Sequence, residues 1–130
     1  MMDRLTRAQE NYVRAVQYLA KEDSGVRLTD IAALMRITKA STFNAVTKLE
    51  QNGFLYRDSN RLIYLTPKGE QEASRVAENF TVIHLFLTRK LNVHENTALL
   101  DAGKLEHVVS AETVDALRSF LEKSVTASAT

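Results

Sequence analysis

A mostly α chain with one small β-hairpin is predicted, and three observations predict it. The 130 residues include one proline and four glycines, too few for a loop-rich β protein. Apolar residues recur at helical spacing through most of the chain. One window, Phe54 to Leu65, changes to short runs of aromatic and branched residues about a turn, which is hairpin composition.

The elements follow in order. Leu5, Tyr12, Val16 and Leu19 form an apolar stripe, with Arg7, Glu10, Arg14 and Gln17 elsewhere, so the first helix is expected over roughly Thr6 to Lys21. Glu22–Asp23–Ser24–Gly25 reads as a turn, and Val26–Arg27–Leu28 as a bridge or very short strand. A short helix is expected over Asp30–Met35 with Thr29 as N-cap. After Arg36–Ile37–Thr38, a further helix is expected from Lys39 to Asn52, with Phe43, Val46 and Leu49 on its buried side and Gly53 as its stop. Phe54–Arg57 and Leu62–Leu65 flank Asp58–Ser59–Asn60 as hairpin arms. Thr66 and Pro67 open a long helix to about Leu91. Two shorter helices are expected near His94–Ala102 and Lys104–Val109, with His94 at the surface or as a cap. Ser110 caps a last helix, Ala111 to Lys123. On this reading residues 1–66 form one domain, residues 67–123 a helical second domain, and residues 124–130 a flexible tail.

The segment Leu28 to Leu65 has the element order of a winged helix–turn–helix: short helix, tight turn, second helix, hairpin. In that arrangement the second helix offers its N-terminal residues to base edges in the DNA major groove. Here those are Thr38, Lys39, Ala40, Ser41, Thr42 and Asn44, which are short or polar, and Asn44 can pair with an adenine edge. Lys48, one turn further, is placed to reach a phosphate. Arg57 and Arg61 bracket the hairpin tip and suit phosphates or the minor groove. Double-stranded DNA is the expected partner.

Charge points the same way. The net +1 averages two unequal parts. Residues 1–66 hold ten Lys/Arg against seven Asp/Glu, a net of +3, and the remainder holds seven against nine, a net of −2. The absence of cysteine excludes a disulfide scaffold, a thiolate zinc site and a cysteine nucleophile. No glycine-rich phosphate loop, nucleophile elbow or His-Glu-x-x-His motif occurs, so no catalytic residues are expected. Glu106 and His107, adjacent on a helix, would point to different faces, which is poor for acid–base cooperation. Met1–Glu10 lacks the apolar core of a signal peptide, and no run approaches the roughly 18 apolar residues of a spanning helix. A cytoplasmic protein without membrane association is expected.

Leu28–Thr29–Asp30–Ile31–Ala32, Ser41 to Gly53 with Leu49–Glu50, Leu65–Thr66–Pro67–Lys68–Gly69, and Leu105–Glu106–His107–Val108–Val109–Ser110 together resemble the diphtheria-toxin-repressor family of iron- and manganese-dependent transcriptional repressors. The resemblance spans about residues 6–123 and is nearer the short manganese-regulator type, which lacks a C-terminal barrel-like domain. It implies a homodimer joined by the helices after Pro67, with Val76, Phe80, Ile83 and Leu87 at the interface or in an intrachain core. A dimer predicts a near-palindromic operator with half-sites about one DNA turn apart, roughly 34 Å.

The resemblance also implies a divalent-metal site, Mn(II) or Fe(II), and here the sequence departs from it. At the family's ligand positions stand Asn11, Arg14, Phe80 and Gly103, leaving Glu106 and His107. Two ligands are too few for an ion that takes five or six. Three readings stay open. Arg14 pairs with Glu106 and replaces the metal's charge. Alternatively Arg14 faces solvent. Or His84 joins Glu106, His107 and Glu10 in a rearranged metal site. Beyond this family, the composition also admits a small-molecule-responsive winged-helix regulator of the multiple-antibiotic-resistance type, or a winged-helix protein-interaction module.

Overall fold

The structure is a computed structural model that describes residues 5–22 and 24–129, with side chains described to Lys123. Asp23, within the expected turn, and Thr130, the end of the expected tail, lie outside the described residues. The chain forms two compact units, Met1–Arg75 and Val76–Thr130. The division falls inside a helix rather than before Pro67, because the first turns of that helix pack on the first unit's core.

In the first unit, α1 (Arg7–Leu19) opens with a capping box. The Thr6 side chain accepts from the Gln9 N–H, and the Gln9 side chain accepts from the Thr6 N–H, so two orphan donors are satisfied. α2 (Leu28–Met35) starts two residues earlier than expected. Its N-cap is Arg27, which makes no side-chain cap bond; Thr29 lies inside the first turn and caps nothing. Arg36 ends α2 in the left-handed conformation, φ 56°. α3 (Lys39–Gln51) is capped by Thr38, whose hydroxyl accepts from the Ser41 N–H. Gly53, at φ 85°, supplies the left-handed residue that turns the chain into the hairpin.

β1 (Leu55–Arg57) and β2 (Ile63–Leu65) pair antiparallel, with Tyr56 opposite Tyr64. Val26 adds an isolated antiparallel bridge to Ile63, exchanging two 2.8 Å bonds with it. The core gathers Val13 and Val16 of α1, Ile31 of α2, Val46 and Leu49 of α3, Phe54, Leu55 of β1 and Ile63 of β2, all nearly inaccessible. α4 (Pro67–Arg89) follows. Thr66 caps it, accepting from the Gly69 N–H at 3.0 Å, while its hydroxyl donates to the Gly53 carbonyl. Ala73 completes the core. Gly69 is required by space, since a Cβ there would stand 2.0 Å from the Phe54 carbonyl oxygen.

In the second unit, the later turns of α4 are accompanied by α5 (Glu95–Leu105) and α6 (Ala111–Ala129). His94 caps α5, its Nδ1 accepting from the Asn96 N–H. The helix expected over Lys104–Val109 does not form, because α5 stops at Leu105 and a turn runs to Ser110. Ser110 caps α6, as its spacing predicts. α6 continues past the expected end at Lys123. Val76, Val82, Ile83, Ala98, Ala102 and Val114 are buried. Among the described residues no helix is long and apolar enough to cross a membrane.

Candidate nucleic-acid interface

α3 is amphipathic, but not on the expected face. Its buried row is Thr42, Val46 and Leu49, each fully inaccessible. These lie at i, i+4 and i+7, which stay on one side of a helix, whereas Phe43–Val46–Leu49 drifts round it. Phe43 is 47% exposed. Thr42 tolerates burial because its hydroxyl donates to the Thr38 carbonyl at 2.9 Å. This corrects its placement among the base-reading residues, for a side chain with no accessible surface cannot reach a base. Thr38, Lys39, Ala40, Ser41, Asn44 and Lys48 remain exposed. Arg36, in the turn before them, is also exposed, a cation that the expected helix boundaries passed over.

The hairpin tip is organised by one carboxylate. Asp58 accepts from the N–H groups of Asn60 and Leu62 through Oδ1, at 2.9 and 3.0 Å, and from the Tyr64 hydroxyl through Oδ2 at 3.0 Å. The Leu62 backbone donor is the main reason its pKa lies below the usual 3.8. The Tyr64 hydroxyl, donating to that carboxylate, is correspondingly raised above 10.0. Tyr56 stacks on Tyr64 with ring centres 5.0 Å apart. Arg61 is exposed at φ 66°. Arg57 is engaged instead: it meets Glu50 at 2.7 Å, donates to Thr47 at 3.4 Å, and lies 5.0 Å over the Phe43 ring. It ties the hairpin to α3, which a solvated wing cation would not.

The expected metal ligands do not gather. Glu106 and His107 contact each other at 3.1 Å, and their side chains are 2% and 3% exposed. They meet because both lie in the turn after α5 rather than on a helix, which corrects the expectation that they diverge. The Glu106 carbonyl accepts from the Asn79 amide of α4 at 3.3 Å. His84 does not join them; its Nε2 lies 3.1 Å from Glu95, and its ring stacks on Phe80. Among the described residues no three His, Cys, Asp or Glu side chains converge on a point where an ion could sit. A guanidinium at 14, a hydrocarbon ring at 80 and no side chain at 103 offer no donors in their place. Asn11 adds only a neutral amide oxygen. At these positions the carboxylate and imidazole donors brought together among the described residues are thus the pair Glu106 and His107, short of the five or six that a first-row divalent cation takes.

Of the expected interface residues, Val76 and Ile83 are buried by their own chain, 0% and 3% exposed, and are core residues. Phe80 and Leu87 are partly buried. Exposed large apolar side chains of this unit lie elsewhere: Leu91 after α4, Leu99 and Leu100 on α5, with Leu100 69% exposed, Leu105 at its end, Val108 in the turn beyond, and Phe120 on α6.

A winged helix–turn–helix followed in the chain by a helical unit is the architecture of a DNA-binding transcriptional regulator, and comparison with known proteins agrees. The family model described as iron dependent repressor, metal binding and dimerisation domain matches residues 66–127, and a MarR family model matches residues 16–61. An uncharacterised HTH-type transcriptional regulator of Methanocaldococcus jannaschii is 31% identical over 120 residues, covering 92% of this chain and 96% of that protein. The transcriptional regulator MntR of Salmonella typhimurium is 31% identical over 114 residues, covering 88% of this chain and 72% of that one. The manganese regulator SloR superposes with a TM-score of 0.75 at 28% identity, over 88% of this chain. The chain spans about half, 53%, of the SloR chain. The chain belongs to the diphtheria-toxin-repressor family of helix–turn–helix transcriptional regulators.

Proposed function

We propose that the chain works as a homodimer that lays α3 of each copy in the major groove of a near-palindromic operator, and that it does so without a bound metal. One observation carries the first part. Lys39, Ser41, Asn44 and Lys48 are exposed on a helix whose opposite row, Thr42, Val46 and Leu49, is locked in the core. A helix held rigidly from behind presents its front as one body, which groove docking requires. In this reading Asn44 pairs with an adenine edge, Lys39 and Lys48 meet phosphates, and Arg61 at the hairpin tip reaches the backbone beside them. Such a role is exercised in the cytoplasm, where the DNA is.

The dimer reading is supported by the apolar side chains left exposed on α5 and after it, in the segment matched by a dimerisation-domain model. The metal-free reading is supported by the donors, since among the described residues no three His, Cys, Asp or Glu side chains come together. Arg14 then supplies, as a fixed guanidinium on α1, the positive charge that relatives of the metal-dependent type take from an ion.

The test is binding to duplexes selected from a random pool, followed by fluorescence anisotropy across salt. Log affinity is expected to fall linearly with log salt. Asn44→Ala is expected to lose about 1–3 kcal/mol on the selected site and little on random duplex. Arg61→Ala is expected to weaken both and to lower the salt slope by about one. Titration with Mn(II) and with chelator is expected to leave affinity unchanged; a large loss in chelator would overturn the metal-free reading. Arg14→Ala and Glu106→Gln, alone and together, would show through their non-additivity whether the two positions are coupled.

A further inference from the structure

Phe43 is the least expected residue on α3. A large apolar side chain, 47% exposed, stands immediately before Asn44 on the helix that carries the exposed polar row. It lies on the hairpin side of that row, because Arg57 of β1 is stacked over its ring at 5.0 Å. Arg57 is itself held: its Nε and a terminal nitrogen reach one Glu50 oxygen at 3.1 and 2.7 Å, and the same terminal nitrogen donates to Thr47 at 3.4 Å. Glu50 and Thr47 are on α3 as well, so ring, guanidinium and carboxylate form a closed brace between helix and hairpin. One face of the ring is thereby covered by a cation, while nearly half of the residue stays accessible. A single exposed apolar residue is ordinary, but this one is braced, and it stands beside Asn44, so the helix presents a fixed apolar face next to its polar row.

The DNA major groove offers one apolar feature, the 5-methyl group of thymine. We infer that Phe43 is a specificity-determining residue that packs on a thymine methyl in each half-site, with Arg57 as the positioning residue that fixes the ring. This rests on the DNA-docking reading of α3 above. It also reassigns Arg57, whose charge is spent on Glu50 and the Phe43 ring rather than on phosphate. Asn44 and Phe43, adjacent on the helix, would then read neighbouring positions by different chemistry, one by hydrogen bonds and the other by contact with the methyl.

The test uses the full chain and the duplexes it selects. Each thymine of the selected site is replaced in turn by uracil, which removes only the methyl. One thymine per half-site is expected to cost the wild-type chain about fourfold in affinity, the equivalent of one buried methylene. In Phe43→Ala that penalty is expected to vanish while penalties at other positions persist. Arg57→Ala is expected to shrink the thymine-over-uracil ratio yet leave the salt slope unchanged; a slope lowered by about one would return Arg57 to the phosphates. A second measurement needs no variant. 5-Iodouracil at the same position should photo-crosslink to the peptide containing Phe43. A selected site with no methyl-sensitive thymine, a penalty that survives Phe43→Ala, or a crosslink mapping to another residue would overturn this inference alone. A chain that selects no sequence would overturn the docking reading beneath it.

Discussion

Thr42 and Phe43 are neighbours in sequence, and the fold sends them to opposite environments. Thr42 is sealed in the core with its hydroxyl on the Thr38 carbonyl, and Phe43 is left beside Arg57 at the surface. Thr42→Val should therefore behave as a core substitution. It keeps the shape and removes one hydrogen bond, at an expected cost of about 0.5–1.5 kcal/mol in denaturant unfolding. Affinity for a selected duplex, measured on folded protein, should not change. Arg75 gives a second case. Burial pulls its guanidinium pKa down, but hydrogen bonds to Glu72 and Glu10 outweigh this and raise it above its usual value. Glu10 is 2% exposed and receives a 2.7 Å bond from Arg75. Arg75→Ala removes a charged partner from a buried carboxylate, and a loss of about 1–3 kcal/mol is expected, at the lower end because Arg75 is itself partly solvated. Chemical denaturation compared with Arg75→Lys would check it.

Among the elements, the hairpin depends most visibly on ionisation. Asp58 has its pKa lowered in the folded chain, so its contribution to stability is complete above the unfolded value near 3.8 and is lost as pH falls through the lower folded value. Tyr64 has its pKa raised, so its contribution is complete below 10.0 and is lost as pH rises through the higher folded value. The hairpin tip should thus be ordered across the neutral range and loosen at both extremes. Amide exchange at Leu62 and Asn60, followed by NMR against pH, should show both edges in the wild type. In Tyr64→Phe the alkaline edge should disappear and the acid edge remain. Helix boundaries show how legible the elements were. The starts at Thr66 and Ser110 could be read from capping chemistry, which acts within three residues; Thr6 and Thr38 also cap, although Thr6 was expected inside its helix and Thr38 in a connection. Thr29 was misread because a good capping residue does not cap where the preceding turn already starts the helix, and α2 begins at Leu28.

At the scale of the whole molecule, the proposed dimer turns on which surface joins the copies. The α4 residues expected at an interface include two that the chain buries itself, Val76 and Ile83. The exposed leucines of α5 are the better test. Leu100→Asp, at 69% exposure, should leave the monomer fold intact and shift sedimentation towards the monomer. Because a dimer gains affinity from simultaneous engagement of two half-sites, the same variant should lose affinity for a full selected site and keep it for a half-site. An unchanged sedimentation coefficient would move the interface off α5.

Local chemistry determined most of this protein. The order of helices and hairpin, the caps at Thr66 and Ser110, the glycine at 53 and the concentration of positive charge in the first part all follow from spacings of a few residues, and these suffice because helix, turn and cap are short-range structures. The departure from the family's ligand pattern could also be read locally, since Arg14, Phe80 and Gly103 carry no side-chain ligand atoms wherever they fold. Tertiary structure decided the rest. It chose which row of α3 is buried, tied Arg57 to Glu50 and Phe43, turned Glu106 towards His107 beyond the end of α5, and gave His84 to Glu95. Each of these depends on which distant surface a side chain meets, and no spacing within one element specifies that.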